Sequence, residues 1–183
     1  MRITKKGFQY DNARFENEIE GEYGDEVFRL ANEYNYEMIN AFARNLQKSG
    51  VPQRKIEENV RYLYWFTDML LGDTQDLFVW DNICFINDNW EHIMCKIILK
   101  TGDINEKILL GIMDSVIDLY RFIRQKEILD DISEIDKIAK RKTKILEKMM
   151  KYNKVRHDPK ISEDEKEEII CNLFGDFYWW PFG

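Results

Sequence analysis

The sequence predicts an all-α fold, two stacked helical hairpins followed by further helices and an aromatic tail. Three observations predict it. A punctuation pattern occurs twice: Leu46-Gln47-Lys48-Ser49-Gly50 closes one apolar stretch and Val51-Pro52 opens the next, and Leu99-Lys100-Thr101-Gly102 and Asp103-Ile104 do the same. Glycine just past one helix, with proline or a capping residue at the start of the next, is how an αα-hairpin is written. Between the breaks, apolar residues recur at helical intervals. The composition, 44% hydrophobic and 33% charged with only 3 prolines in 183 residues, fits one folded helical domain long enough to bury a core.

Residues 1–24 mix Phe8, Tyr10, Phe15 and Tyr23 with Glu16, Glu18, Glu20 and Glu22, and Gly21 and Gly24 interrupt any helix, so an irregular arm is expected. Residues 25–132 form the helical core domain. Its first helix buries Phe28, Ala31, Met38, Phe42 and Leu46 and stops at Ser49-Gly50. The second opens near Pro52 and turns Ile56, Val60, Leu63, Thr67 and Leu70 inward, with Tyr62, Tyr64, Trp65 and Phe66 widening the arc. Gly72 to Asp76 is a turn, and Leu77-Phe78-Val79-Trp80 is too short for periodicity to classify and is read as a connection. A third helix carries Ile86, Trp90, Ile93, Ile97 and Ile98. A fourth, capped by Asp103 with Glu106 in the box position, carries Ile108, Ile112, Val116, Leu119 and Ile123.

Residues 133–183 add a basic helix over 133–154, an acidic helix opened by Ser162 with Glu165 in the box position, and the aromatic run, all packed on the core. The acids Glu163 to Glu168 occupy the first turns, where the helix dipole favours negative charge, and are read as solvated surface. Burying Phe177, Tyr178, Trp179 and Trp180 would stabilise the fold, so these four are expected to dock on the core, with a neighbouring subunit as the second reading. A membrane partner is not expected beside so acidic a helix.

Charge is unevenly placed. Between Lys137 and Lys160 there are ten Lys or Arg against two acids, a local +8, so a chain of net charge −7 carries −15 elsewhere. On a helical projection Lys137, Lys140, Arg141, Lys144, Lys148 and Lys151 fall within about 60° of one line, beside an apolar arc of Ile138, Ile145, Leu146 and Met149. Such a stripe suits contact with phosphates; a solvated face neutralised by acids of this chain or a second subunit is the competing reading.

Catalytic and metal chemistry find no support in the sequence. The three cysteines, Cys84, Cys95 and Cys171, lack C-x-x-C spacing, which points to thiols in a reducing compartment. His92 and Cys95 lie one helical turn apart and Cys84 could approach, but structural zinc usually takes paired ligands from both ends of a site. No G-x-S-x-G elbow and no phosphate-binding glycine loop occur. No span of about 20 apolar residues and no secretory leader is seen, so a cytoplasmic protein is expected.

The run Phe42-Ala-Arg-Asn-Leu46-Gln-Lys-Ser-Gly50-Val-Pro-Gln-Arg-Lys-Ile56, followed by Val60-Arg-Tyr-Leu63-Tyr-Trp-Phe66, resembles the core-binding (SAM-like) domain of tyrosine recombinases and phage integrases. Leu119-Tyr120-Arg-Phe122-Ile123-Arg-Gln-Lys-Glu-Ile128-Leu129 is similar to the last core helix of that domain. The likeness covers roughly residues 35 to 132. The catalytic half of such enzymes uses an Arg, a His-x-x-Arg and a nucleophilic Tyr, whereas here His92 precedes Ile-Met-Cys95 and His157 precedes Asp-Pro-Lys160. The resemblance implies a stand-alone DNA-clamping scaffold. Joined to the basic stripe, it predicts a non-catalytic protein without cofactor or metal that contacts DNA or RNA backbone. The alternative is a protein–protein interaction module or homodimer.

Overall fold

The computed structural model describes residues 25–73, 79–80, 83–101, 105–129 and 132–175, and all regular secondary structure among them is helical. Six helices follow in order: α1 (Asp25–Lys48), α2 (Gln53–Asp73), α3 (Ile83–Thr101), α4 (Glu106–Gln125), α5 (Ser133–His157) and α6 (Glu163–Phe174). The arm over 1–24 and the aromatic residues Phe177, Tyr178, Trp179 and Trp180 lie outside the described residues.

The α1–α2 turn forms as its sequence predicts. Gly50 takes φ +75, the Val51 N–H donates to the Leu46 carbonyl at 3.1 Å and the Gly50 N–H to the Gln47 carbonyl at 3.1 Å. Together these satisfy carbonyls that the helix end would otherwise leave open. The Pro52 carbonyl then accepts from the amides of Lys55 and Ile56, which starts α2 one residue after the proline. At α4 the cap differs from expectation: Asn105 Oδ1 accepts from the Ile108 N–H at 3.1 Å, and Asp103 falls outside the described residues. An Asn immediately before the first turn reaches the third amide directly, so it takes the capping role. The box at α6 is as predicted, with Ser162 Oγ accepting from the Glu165 N–H and Glu165 Oε2 accepting from the Ser162 N–H at 3.0 Å.

Packing departs from two stacked hairpins. α1 and α2 lie side by side, but α3 packs along α5 and α2 and has little contact with α4. α2, α3, α5 and α4 therefore close a four-helix ring, with α1 lodged against α2 and α4 and α6 lying on α5. α4 offers these neighbours a wide apolar arc: Leu109, Ile112, Met113, Val116, Ile117, Leu119, Tyr120, Phe122 and Ile123 are all buried, too much surface for one neighbour to cover. A single hydrophobic cluster runs through all six helices.

Its aromatic centre comes from the α2–α3 connection. Trp80 is fully buried, stacked on Phe66 (centroids 5.7 Å, 20° between planes) and edge-on to Tyr120 at 5.8 Å. Its backbone is held from both sides: the N–H donates to Asn35 Oδ1 of α1 at 3.0 Å, and the carbonyl accepts from the Tyr120 hydroxyl at 2.8 Å. An irregular segment enters a core only when its peptide groups find such partners.

Candidate nucleic-acid interface

α5 is built from strong helix formers, with Glu134 and Asp136 in its first turn and Lys154, Arg156 and His157 in its last, charges that suit the helix dipole. Ile138, Ile145, Leu146 and Met149 are buried as the projection predicts, joined by Ile135 and Tyr152. That fixes which way the rest of the helix points.

The six predicted cations divide. Arg141 and Lys148, about two turns apart on the same edge, reach across to α3: the Arg141 guanidinium donates to Asn87 Oδ1, and Lys148 Nζ lies 2.7 Å from Glu91 Oε2. Lys148 also sits 5.7 Å from the centroid of the Phe174 ring of α6, leaving its side chain only 26% exposed. Lys137 is exposed and pairs with Glu134 one turn earlier. Lys140, Lys144 and Lys151 are exposed and have no ion-pair partner among the described residues. Lys154, which the sequence reading left out, shares their face and their exposure. These four lie within an arc of about 80° and along about 21 Å of helix axis. Glu147 is exposed on the same face, between Lys144 and Lys151. The stripe drawn from sequence is thus displaced by about one residue width: its α3 edge serves packing, and its opposite edge gains Lys154.

A second concavity went unpredicted. Lys55, Glu58 and Tyr62 of α2 face Asn105, Lys107, Leu110, Gly111 and Asp114 across an open cleft of about 550 Å³. Gly111 lets the Tyr62 ring pack closely on α4: a β-carbon there would come within 2.9 Å of Tyr62 Cζ. A glycine inside an otherwise apolar helical pattern was the available signal. Lys55 donates to the Glu58 carboxylate at 3.3 Å and holds its pKa below the ordinary glutamate value, with Tyr62 and Lys107 adding to the effect. Burial, then Glu58, raises the Tyr62 phenol. Lys142 of α5 pairs with Asp114. Two of the cleft's carboxylates are thus paired, Glu58 with Lys55 and Asp114 with Lys142.

Beneath it, Ser115 Oγ donates to Gly111's carbonyl at 2.7 Å and lies 3.3 Å from Asn59 Oδ1, a buried polar contact that ties α2 to α4. Cys84 is exposed and Cys171 half-buried, both as thiols; the side chains of His92 and Cys95 lie outside the described residues. No group of three His, Cys, Asp or Glu placed to hold a metal occurs among the described residues. No described helix is long and apolar enough to cross a membrane. Comparison of the chain with protein-family models, with curated proteins and with solved structures finds no match.

Proposed function

We propose that this is a non-catalytic, cytoplasmic binding protein of the recombinase core-domain kind, which contacts nucleic-acid backbone through α5. One observation carries the reading: Lys140, Lys144, Lys151 and Lys154 project together from one face of α5 with no acid of the described residues paired to them. Lysines in that state neutralise phosphates by releasing condensed counterions, without reading bases. The unbridged thiols Cys84 and Cys171 are in keeping with a reducing compartment.

Fluorescence anisotropy with labelled DNA and RNA at about 50 mM salt tests it. Micromolar binding is expected, with a log–log salt slope of about −3 to −4 for four contacts. The triple substitution Lys140→Glu, Lys144→Glu, Lys151→Glu should abolish binding and leave helical content unchanged, since Glu is nearly as good a helix former as Lys. Absence of retention by the wild-type protein on any nucleic acid sinks the proposal.

A second reading, a protein-interaction module, draws on the outer face of α1 and α2. Arg61 is exposed and lies 5.6 Å from the centroid of the half-buried Trp65 ring, and Tyr36 is exposed beside Tyr64. Trp, Tyr and Arg held in place are the residues that dominate protein interfaces.

A further inference from the structure

The exposed face of α5 is not a uniform row of cations. Lys140 and Lys144 form one pair and Lys151 and Lys154 a second, and the only exposed acid on that stretch of α5, Glu147, stands between them. At about 1.5 Å per residue the midpoints of the two pairs are about 16 Å apart. Glu147 lies one turn from Lys144 and one from Lys151, the spacing at which a glutamate commonly bonds a lysine, yet no ion pair of Glu147 is formed among the described residues. Its carboxylate faces outward with the lysines rather than being consumed by them.

A ligand that fits this face has two anionic clusters about 16 Å apart and no phosphate at the middle. A single strand laid along α5 fails that requirement, because its phosphates follow one another at shorter intervals and one would meet Glu147. A double helix meets it when the protein helix spans a groove. The wide groove of a B-form duplex is about 12 Å across between its phosphate walls, and the phosphates themselves widen the span towards the separation of the lysine pairs. Base edges, not phosphates, then lie opposite Glu147. The flexible lysine stems absorb the remaining difference.

Resting on the reading of α5 as a backbone-binding face, we infer that Glu147 is a selectivity residue. It makes the face take two-stranded nucleic acid across a groove and turns away single strands and other continuous polyanions. Repulsion by a carboxylate held at the centre of a binding surface is how specificity is commonly gained against the wrong partner.

The experiment uses the full chain with four labelled probes of one mixed 20-nucleotide sequence at about 50 mM salt: DNA duplex, RNA duplex and the two single strands. Wild-type protein is expected to bind at least one duplex about tenfold more tightly than either single strand, and the tighter duplex identifies the source. Glu147→Gln should raise single-strand affinity about threefold or more while changing duplex affinity less than twofold; Glu147→Lys should bring single strands near the duplex. Equal wild-type affinity for duplex and single strand, or an equal gain on both in Glu147→Gln, overturns this inference and leaves backbone binding standing. Failure to bind any of the four probes removes both. Unchanged circular dichroism of the variants shows that the comparison is made on folded protein.

Discussion

Gly111 of α4 packs against the ring of Tyr62 from α2, so close that a β-carbon there would approach Tyr62 Cζ to 2.9 Å and Cδ2 to 3.1 Å. Tyr62 is buried and cannot swing away cheaply. Gly111→Ala should therefore destabilise the protein by about 1–3 kcal/mol through overpacking, although alanine is intrinsically the better helix former by about 1 kcal/mol. Urea melts of Gly111→Ala, Tyr62→Leu and the double variant check this: the smaller side chain at 62 should recover most of the loss.

The grip on Trp80 offers a second test. Asn35→Ala leaves the buried Trp80 N–H without the acceptor that Asn35 Oδ1 supplies, at an expected cost of about 1–3 kcal/mol. Tyr120→Phe removes only the donor to the Trp80 carbonyl and should cost about 1 kcal/mol. Because the two changes act on opposite sides of one peptide segment, their effects should not be additive. A sum equal to the double variant's loss would show that the segment is held elsewhere.

The α6 cap predicts a pH response. Hydrogen bonds from the Ser162 amide and hydroxyl lower the Glu165 pKa in the folded protein. A depressed folded-state value means the ionised carboxylate stabilises the fold: the contribution is complete above the unfolded glutamate value of about 4.3 and is lost as pH falls through the lower folded value. Protease sensitivity of α6 should rise over that acid range. Glu165→Gln should remove the pH step, and Ser162→Ala should loosen α6 at every pH. An identical step in Glu165→Gln would assign it to another carboxylate.

Two lysines one turn apart should behave oppositely. Lys148→Ala strands Glu91 and uncovers the Phe174 ring, which should cost about 1 kcal/mol of stability. Lys144→Ala touches no partner among the described residues and should stay within about 0.5 kcal/mol of wild type. In binding assays the order reverses, with Lys144 contributing to the salt slope and Lys148 very little. Equal behaviour of the two in both assays would contradict the division of the stripe.

Helical periodicity carried the class and most of the buried faces, because a pattern such as Ile138, Ile145, Leu146 and Met149 admits only one inward side. It could not carry the pairing of helices. Ser49-Gly50 and the residues around Gly102 read alike, yet α1 and α2 lie together while α3 packs on α5, a pairing between helices distant in sequence. The site was legible to the same depth. Helical angle placed the lysines on a common side, but Asn87 and Glu91, the groups that draw Arg141 and Lys148 inward, belong to a helix whose position no local pattern encodes. The buried Trp80 escaped notice for a related reason. Its partners, Asn35 and Tyr120, are 45 and 40 residues away.

That separation has a consequence for how the chain reaches its native state. The α1–α2 hairpin needs only neighbouring residues and can close quickly, whereas the Trp80 carbonyl waits for a hydroxyl 40 residues further along. At a synthesis rate of about 5–20 residues per second, Trp80 leaves the ribosome several seconds before Tyr120 follows. For that interval one of the two buried tryptophans of the core lacks its Tyr120 partner. The docking site of that indole is completed only by the arrival of α4.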